Sequence, residues 1–449
     1  MSSLMISSSG IRGIIGESLT PEVITKVATS YGKLIGSGTV ILGGDTRVSH
    51  DMVLNLVQGS LLSIGINVIN IGKVTTPTVQ QMIKAHNADG GIVITASHNP
   101  IMWNGIKLMN ASGSFLTKDE FATFEQNYYS DSCEYHSWDN LGELTYDEDA
   151  LEKHVDLILS KVDSSVIQNS GLKVLVDANN GAGAAADPVL LDALGIDYDI
   201  LNGEPDGKFA HDPEPLKQNL SEIMDVMKHG DYDIGFIQDA DADRLVILDE
   251  NGEFIGEDYS LALCIDHVLS HECATDTSKQ VVVNLSTSNV IKDLAAKHDA
   301  AFFQTAIGEP NVTAKLKDIQ ATVGGEGNGG VIFPKIGWGR DSLVGMVLAL
   351  KYLALTKRSV SELVSQYPRY TMLREKFKAG TRDDVIQFLN KVESKFQGEE
   401  INKVDGVKVM FDSGWIHVRP SNTEPIVRIF VEERSVEKSQ ALLDEVMSL

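Results

Sequence analysis

The chain has 449 residues, 43% of them hydrophobic and 22% charged, which is typical of a globular protein in water. A chain of this length is expected to form about three or four domains. The formal net charge of −25 excludes general attraction to nucleic acid or to an anionic membrane surface.

The cysteines and the N-terminus indicate the compartment. The three cysteines form no CxxC pair, and a sparse, odd set argues against a disulfide framework. The N-terminus lacks a basic segment followed by a long apolar stretch, and no run of about 18 apolar residues occurs. We therefore expect a cytoplasmic protein with no membrane span and no nucleic-acid partner.

Apolar runs typical of buried strands alternate with helical patterns in the first third of the chain. The first helix is expected to begin at Pro21, because Thr20 is a natural N-cap and proline is favoured in the first turn. The other elements predicted in this region are strands at 39–42, 68–71 and 91–94 and helices at 51–64 and 78–86. The last of these strands leads to Ser97.

The same pattern restarts twice, and a different one closes the chain. Strand-like runs begin new α/β units at 172–177 and at 280–285. From about residue 366 the pattern changes to a helix, three antiparallel strands and an amphipathic helix. We therefore predict an α/β protein with three similar domains in series and a smaller C-terminal α+β domain. The predicted domains span residues 1–148, 149–252, 253–365 and 366–449.

Ser97 lies just beyond a predicted buried strand, where open α/β sheets place their ligands. Its hydroxyl, flanked by His98 and Asn99, is a candidate nucleophile, although most Ser-His neighbours are turn residues. The GxSxG pattern of the hydrolase nucleophile elbow is absent, which disfavours an esterase. The local sequence alone does not choose between a nucleophile and a turn.

Three aspartates alternate after the strand predicted at 233–237. Asp239, Asp241 and Asp243 can converge on a hard divalent cation, because such cations prefer carboxylate oxygens. An EF-hand is disfavoured because Arg244 occupies the position where that loop needs glycine. A phosphatase of the DxD type leaves the third aspartate unexplained. A magnesium site is therefore favoured over a solvated acidic loop.

Two further segments favour a phosphosugar ligand. The glycine-rich run 324–330 lets the backbone approach a ligand, with Glu326 and Asn328 available to sugar hydroxyls, unless it is only a tight hairpin. The run 419–425, with Arg428 beyond it, offers guanidinium and turn N–H donors to phosphate, unless it only caps a strand connection. An acidic chain needs such a local positive site to hold an anionic substrate.

Two isolated cations complete the set of candidates. Arg12 lies in a glycine-flanked segment that predicts a flexible loop, and Lys107 lies shortly beyond Ser97. Either is an ordinary surface charge unless the fold brings it to the other motifs. A lysine crowded among cations can have a lowered pKa and serve as an acid or base.

Taken in order, these motifs resemble those of the α-D-phosphohexomutase family, across essentially the whole chain. The segments that carry the resemblance are TASHNP at 95–100, DADADR at 239–244, GEGNGG at 325–330 and RPSNTEP at 419–425. The resemblance implies four domains around a central cleft that receives one loop from each. It also implies that phosphorylated Ser97 passes its phosphoryl group to a hexose phosphate, with a hexose 1,6-bisphosphate as intermediate and activator.

The resemblance further implies a role for each candidate residue. The Mg²⁺ ligands would be Asp239, Asp241, Asp243 and the phosphate on Ser97. The catalytic group would comprise Ser97, Arg12, His98, Arg244 and Lys107, the last as general acid or base. The substrate-binding residues would be Thr305, Gly308, Glu326, Asn328, Arg419, Ser421, Asn422, Thr423 and Arg428. Two positions depart from the family pattern, because Asn328 replaces the usual serine and Gly330 the usual histidine.

The variant glycine-rich segment is similar to that of phosphoglucosamine mutase-like members, which favours interconversion of glucosamine 6-phosphate and glucosamine 1-phosphate. Glucose and mannose phosphates, as used by phosphoglucomutases and phosphomannomutases, are the alternative within the class. A phosphohydrolase is disfavoured because a second phosphate cradle at Arg419 has no task in hydrolysis. An inactive sugar-phosphate binding protein is disfavoured because the reactive residues are intact. We expect a monomer or a homodimer.

Overall fold

Four sheets follow one another along the chain in the computed structural model, which describes residues 4–130, 133–420 and 426–449. The sheets have seven, four, four and five strands. No helix within these described ranges is both long and apolar enough to cross a membrane.

The first sheet is mixed. Its strands are β1 (Met5–Ser7), β2 (Gly10–Ile14), β3 (Thr39–Gly44), β4 (Asn67–Lys73), β5 (Gly90–Ile94), β6 (Trp103–Asn110) and β7 (Leu144–Tyr146). Its helices are α1 (Pro21–Ile35), α2 (His50–Leu62), α3 (Thr76–Ala85) and α4 (Lys118–Tyr129). Thr20 caps α1 as predicted, by accepting a hydrogen bond from the backbone N–H of Val23. The strand order is β1-β2-β6-β5-β3-β4-β7.

The next two sheets are smaller. The second unit contains β8 (Lys173–Asp177), β9 (Asp197–Leu201), β10 (Ile234–Gln238) and β11 (Leu245–Leu248), with α5 (Ala150–Lys161), α6 (Ser165–Gln168), α7 (Gly183–Leu194), α8 (Ser221–His229) and a 3-10 turn at Lys217–Asn219. The third unit contains β12 (Gln280–Asn284), β13 (Ala301–Thr305), β14 (Val323–Glu326) and β15 (Gly330–Ile332). Its helical segments are α9 (Glu257–His267), a π turn at Val268–Glu272, α10 (Asn289–Lys297), α11 (Glu309–Ile319), α12 (Ser342–Thr356) and α13 (Val360–Val364).

One strand arrangement recurs in these three units. The strand orders are β4-β3-β5-β6 within the first sheet, β9-β8-β10-β11 in the second and β13-β12-β14-β15 in the third. In each unit three parallel strands are followed by an antiparallel fourth, which pairs with the third as a hairpin. The links from third to fourth strand therefore occupy equivalent places. The prediction of three similar α/β domains is confirmed.

The C-terminal unit has a different architecture. Its strands are β16 (Thr371–Lys378), β17 (Glu400–Asn402), β18 (Val407–Met410), β19 (Trp415–Pro420) and β20 (Ile426–Glu433), and its helices are α14 (Arg382–Lys395) and α15 (Val436–Met447). The sheet is antiparallel throughout, in the order β16-β20-β19-β18-β17. This confirms the predicted α+β class of the last domain.

The second and third units share one apolar core. Val176 on β8 and Leu190 on α7 belong to the same cluster of fully buried side chains as Val283 on β12 and Leu348 on α12. Because close-packed interiors have low compressibility, this shared core holds the loops after β10 and β14 in a fixed relation.

Candidate active site

The three equivalent loops, which follow β5, β10 and β14, open onto one cavity of about 660 Å³, which the C-terminal unit also lines. The predicted site residues that line it are Arg12, His98, Lys107, Arg244, Gly308, Glu326, Asn328, Arg419 and Arg428. Thr305 ends β13 nearby, where its hydroxyl donates to the Ala306 carbonyl at 2.9 Å. Three further predicted ligands, Ser421, Asn422 and Thr423, lie outside the described residues.

Ser97 lies on the link between β5 and β6 and is buried. Its backbone is left-handed, with φ of 49°, which is uncommon for a residue with a side chain. Its Oγ donates to Asp239 Oδ2 at 2.8 Å, and its backbone N–H donates to Thr95 Oγ1 at 2.8 Å. An unfavourable backbone conformation persists only where the surroundings enforce it, and such positions cluster at functional sites.

Arg47, which sequence reasoning missed, shapes the loop around Ser97. Its guanidinium donates hydrogen bonds of 2.6 to 2.9 Å to the backbone carbonyls of Ser97, Asn99, Pro100 and Trp103. Its Nε lies 3.2 Å from Asp45 Oδ2, so the buried charge is paired. The only sequence signal for this role is a charged pair placed just after the strand β3.

The three aspartates follow β10 and are fully buried. Asp239, Asp241 and Asp243 each offer a carboxylate oxygen, and these atoms lie within 4.8 Å of one another. Oδ1 of Asp241 and Oδ1 of Asp243 have no hydrogen-bond partner among the described residues. Buried carboxylate oxygens without a donor are costly unless a cation binds them. The donor set therefore fits a hard divalent cation such as Mg²⁺.

Two cations from other units partly offset this acidic cluster. Lys107 on β6 donates to Asp241 Oδ2 at 2.6 Å and to Asp243 Oδ2 at 3.1 Å. Arg340, just ahead of α12, donates to Asp243 Oδ2 at 2.7 Å. Burial acts to lower the pKa of Lys107, but the two carboxylates outweigh burial and the pKa is raised. The nearest charges to Lys107 are thus carboxylates rather than the cations that a lowered pKa requires.

Three predicted side chains surround the serine on its cavity side. Arg244 Nη2 donates to His98 Nδ1 at 2.8 Å. Burial, reinforced by the charges of Arg244 and Arg12, holds the pKa of His98 well below its ordinary value, so the imidazole is neutral. Arg12 Nη1 donates to Asn99 Oδ1 at 3.0 Å. The prediction of a flexible loop at Arg12 is wrong, because β2 pairs along its length with β6.

Glu326, at the end of β14, is held by partners on both oxygens. Its Oε1 accepts from Asn284 Nδ2 at 2.7 Å and from the Gly308 backbone N–H at 3.0 Å. Its Oε2 accepts from Arg340 Nη1 at 2.8 Å. Asn328 lines the cavity beside it. The fixed carboxylate can accept hydrogen bonds from sugar hydroxyls, and sequence reasoning missed both Asn284 and Arg340, which hold it.

A row of cations crosses the C-terminal sheet at the cavity wall. Lys376 on β16 lies opposite Arg428 on β20, which in turn lies opposite Arg419 on β19. Arg419 Nε also lies 3.2 Å from Asp405 Oδ1. Adjacent cations on neighbouring strands form a site for phosphate oxygens. Lys376 was missed because β16 was not among the predicted strands.

Family models for the phosphoglucomutase/phosphomannomutase domains match the chain in order. The alpha/beta/alpha domains I, II and III match residues 4–132, 152–252 and 256–370, and the C-terminal domain matches residues 376–449. The four matches follow the same order as the four sheets.

Curated relatives and solved structures match over nearly the full length. A phosphoglucomutase/phosphomannomutase of Thermococcus kodakarensis is 38% identical, over 97% of this chain and 96% of that protein. A phosphoglucosamine/phosphogalactosamine mutase of Sulfurisphaera tokodaii is 31% identical, over 99% and 98% of the two chains. The crystal structure of a phosphoglucomutase/phosphomannomutase family protein from Burkholderia thailandensis superposes with a TM-score of 0.83 at 26% identity, covering 98% of this chain and 96% of that one.

Proposed function

This chain is a phosphohexomutase of the phosphoglucomutase/phosphomannomutase family, and we propose that it interconverts glucosamine 6-phosphate and glucosamine 1-phosphate through phosphorylated Ser97. A hexose 1,6-bisphosphate is the proposed intermediate and activator. Glucose and mannose phosphates are the alternative substrates.

The observation that carries the proposal is the 2.8 Å hydrogen bond from Ser97 Oγ to Asp239 Oδ2, beside a cavity lined by all four units. In the first transfer, the P–Oγ bond breaks while phosphorus bonds to a sugar hydroxyl oxygen, which loses its proton. In the second, the bond between the sugar oxygen and its other phosphoryl group breaks while that phosphorus bonds to Oγ, and the sugar oxygen gains a proton. The bisphosphate turns around between these two steps.

Charge and proton management follow from the residues next to Ser97. Mg²⁺ bound by Asp239, Asp241, Asp243 and the serine phosphate would neutralise the charge that develops on the transferring group. Lys107 lines the cavity with its Nζ protonated among these carboxylates, so as a general acid it can donate a proton to the sugar oxygen that loses its phosphoryl group. The residues that would orient the phosphoryl oxygens are Arg12, His98 and Arg244.

The C-terminal cations would bind the phosphate that is not being transferred. Lys376, Arg419 and Arg428 lie in one row on the wall formed by the C-terminal sheet. Ser421, Asn422 and Thr423 stay predicted ligands of the same phosphate. A site for a second phosphate suits a mutase, which must hold both ends of a bisphosphate, and has no task in a phosphohydrolase.

The charge of the third unit's wall supports an amino sugar. Glu326 places a carboxylate at the cavity, beside Asn328. A carboxylate at this position suits an ammonium group. The Sulfurisphaera relative, named for two amino sugars, supports the same choice, whereas the Thermococcus relative supports the alternative.

A side-by-side assay decides the sugar. Initial rates with glucosamine, glucose and mannose 6-phosphates are compared under saturating bisphosphate and Mg²⁺. We expect the highest kcat/KM for glucosamine 6-phosphate. A kcat/KM for glucose 6-phosphate well above that for glucosamine 6-phosphate would show that the proposed substrate is wrong.

Intact-protein mass spectrometry tests the role of Ser97. The active enzyme should carry one phosphoryl group that phosphatase removes together with activity, and the bisphosphate should restore both. The Ser97→Ala variant should carry none and be inactive. Stoichiometric release of inorganic phosphate from the sugar phosphate would instead establish a hydrolase.

A further inference from the structure

Arg340 connects two parts of the site. One is Glu326, the carboxylate at the sugar side of the cavity, and the other is Asp243 in the aspartate loop, residues 239–244. The side chain of Arg340 is buried, and its three donor nitrogens each find a different acid. Nη1 donates to Glu326 Oε2 at 2.8 Å, Nη2 to Asp243 Oδ2 at 2.7 Å and Nε to Glu309 Oε2 at 3.0 Å. A planar guanidinium holds such partners in a fixed mutual geometry, which a single ammonium does not.

Gly330 provides the space in which this guanidinium stem lies. A Cβ on Gly330 would come within 2.2 Å of Arg340 Cδ and 2.8 Å of its Cγ. Gly330 is absent from the residues with positive φ in the described chain, so a left-handed backbone is not the reason for glycine here. The missing side chain at residue 330 is therefore explained by the presence of Arg340.

The backbone around Arg340 is bonded to both links. The Asp341 N–H donates to the Val331 carbonyl at 3.0 Å, and Ser342 Oγ donates to the Ala242 carbonyl at 2.6 Å. Asp341 also caps α12, since its Oδ1 accepts from the backbone N–H of Leu343 at 3.0 Å. Both ends of this short segment are thus fixed, one to the hairpin of the third unit and one to the aspartate loop.

We propose that Arg340 is a positioning residue for the mutase reaction, which sets Glu326 toward the sugar in register with Asp243, and that Gly330 and Arg340 act as one unit. This inference rests on the proposed function. The side chain of Arg340 occupies the space that a Cβ at residue 330 would need, which accounts for glycine there. Arg340 has no part in proton transfer.

A double-mutant cycle tests the pairing. Arg340→Ala should lower kcat/KM by about 100-fold, as expected when a charge-assisted contact is lost and its carboxylates are left unpaired. Gly330→Ala alone should lower it by about 10-fold, because the new Cβ displaces the guanidinium. In the Arg340→Ala background, Gly330→Ala should have no further effect. Additive losses would contradict the pairing.

Two further measurements separate positioning from a general packing defect. Guanidinium ion added at millimolar concentration should restore part of the activity of Arg340→Ala, and ammonium ion should not. Arg340→Lys, which keeps the charge and most of the volume, should remain folded and still lose activity. Full activity in Arg340→Lys, or no rescue by guanidinium, would overturn the proposal. The matched controls are Gly59→Ala, at an exposed helical glycine with open space around its Cβ, and Arg358→Ala at an exposed arginine.

Ligand binding to an inactive variant distinguishes failure of this inference from failure of the proposed function. The 1-phosphates of glucosamine, glucose and mannose are titrated calorimetrically into Ser97→Ala, and glucosamine 1-phosphate also into Ser97→Ala combined with Arg340→Ala. We expect binding to the first and at least about 10-fold weaker binding to the second. Equal binding would overturn the role of Arg340 alone. No binding to Ser97→Ala of any of the three hexose phosphates would overturn the proposed function and this inference with it.

Discussion

The aspartate loop after β10 and the glycine-rich loop after β14 occupy the same place in two units of the same topology, yet they are specified in opposite ways. The aspartate loop depends on its side chains, two of whose carboxylate oxygens have no donor in the part of the chain that the structure describes. The glycine-rich loop depends on having no side chains at three positions, because a Cβ on Gly327, Gly329 or Gly330 would lie 2.4 Å or less from a neighbouring atom.

The difference shows where each loop gets its shape. The carboxylates of the aspartate loop repel one another and depend on Lys107 and Arg340, which come from other units. The glycine-rich loop depends on close backbone approach to its neighbours. The serine loop after β5 lies between these cases, since Arg47, just after β3, donates hydrogen bonds to its carbonyls. The repeated fold places the loops, and side chains from distant segments hold two of them in shape.

The largest effect is expected in the loop defined by side chains. Asp241→Asn removes one ligand charge and one partner of Lys107, so kcat should fall by about 1,000-fold and the dependence on Mg²⁺ should weaken. Rates are measured across a Mg²⁺ titration after treatment with a chelator. Asp231→Asn, at an exposed aspartate, is the control. An unchanged Mg²⁺ dependence in Asp241→Asn would place the metal elsewhere.

The next largest effect is expected at the serine loop. Arg47→Met frees four carbonyls and leaves Asp45 without its cation, so Ser97 shifts and kcat should fall by about 100-fold with little change in KM. The free energy of unfolding should fall by about 3–5 kcal/mol, as when one partner of a buried ion pair is removed. Adding Asp45→Asn should restore part of the stability but not the activity. If it restores both, Arg47 is only a structural counter-ion.

Asp241 and Arg47 also show which parts of the site the sequence predicts and which it does not. Ser97 and the three aspartates are predictable because each motif is local and follows a strand. Arg47 and Arg340 are not, because their roles exist only in contacts to segments far away in the chain. The flexible loop predicted at Arg12 is wrong for a similar reason, since β2 becomes a strand only by pairing with the distant β6. The strand pattern predicts the fold class, but not which charges meet.

A smaller effect is expected from a glycine of the other loop. Gly329 has φ of 89°, and its Cβ would lie 2.3 Å from the backbone oxygen of Leu245, where the aspartate hairpin continues. Gly329→Ala should therefore lower kcat/KM by about 10-fold and the free energy of unfolding by about 1–3 kcal/mol. Gly59→Ala, in the open, should instead stabilise by about 1 kcal/mol. Steady-state kinetics measure kcat/KM and urea unfolding measures the free energy of unfolding for each variant. Equal values for Gly329→Ala and Gly59→Ala would show that close approach to Leu245 does not require glycine at residue 329.

The smallest effect on catalysis is expected at Asp187, which lies behind the aspartate loop. The same residue is expected to change the pH dependence of the free energy of unfolding the most. Asp187 on α7 is fully buried, and its Oδ1 accepts from Gln238 Nε2 at 3.0 Å, directly before Asp239. Burial raises the pKa of Asp187 to about 8, and the bond from Gln238 only partly offsets it. The carboxyl is therefore protonated in the folded protein at neutral pH, whereas it is ionised in the unfolded chain.

The sign of the linkage follows from a folded pKa above the unfolded value of 3.8. The stability that Asp187 contributes is fully present below about pH 4 and is lost as the pH rises toward 8, because the unfolded chain then gains from ionisation. Asp187→Asn cannot ionise, so its free energy of unfolding relative to the parent protein should increase between pH 5 and pH 8, by up to a few kcal/mol. Urea unfolding at both pH values measures this, with Asp192→Asn on the exposed side of the same helix as control. A difference that is constant with pH would mean that Asp187 is ionised in the fold, and that the support behind the aspartate loop is charged rather than neutral.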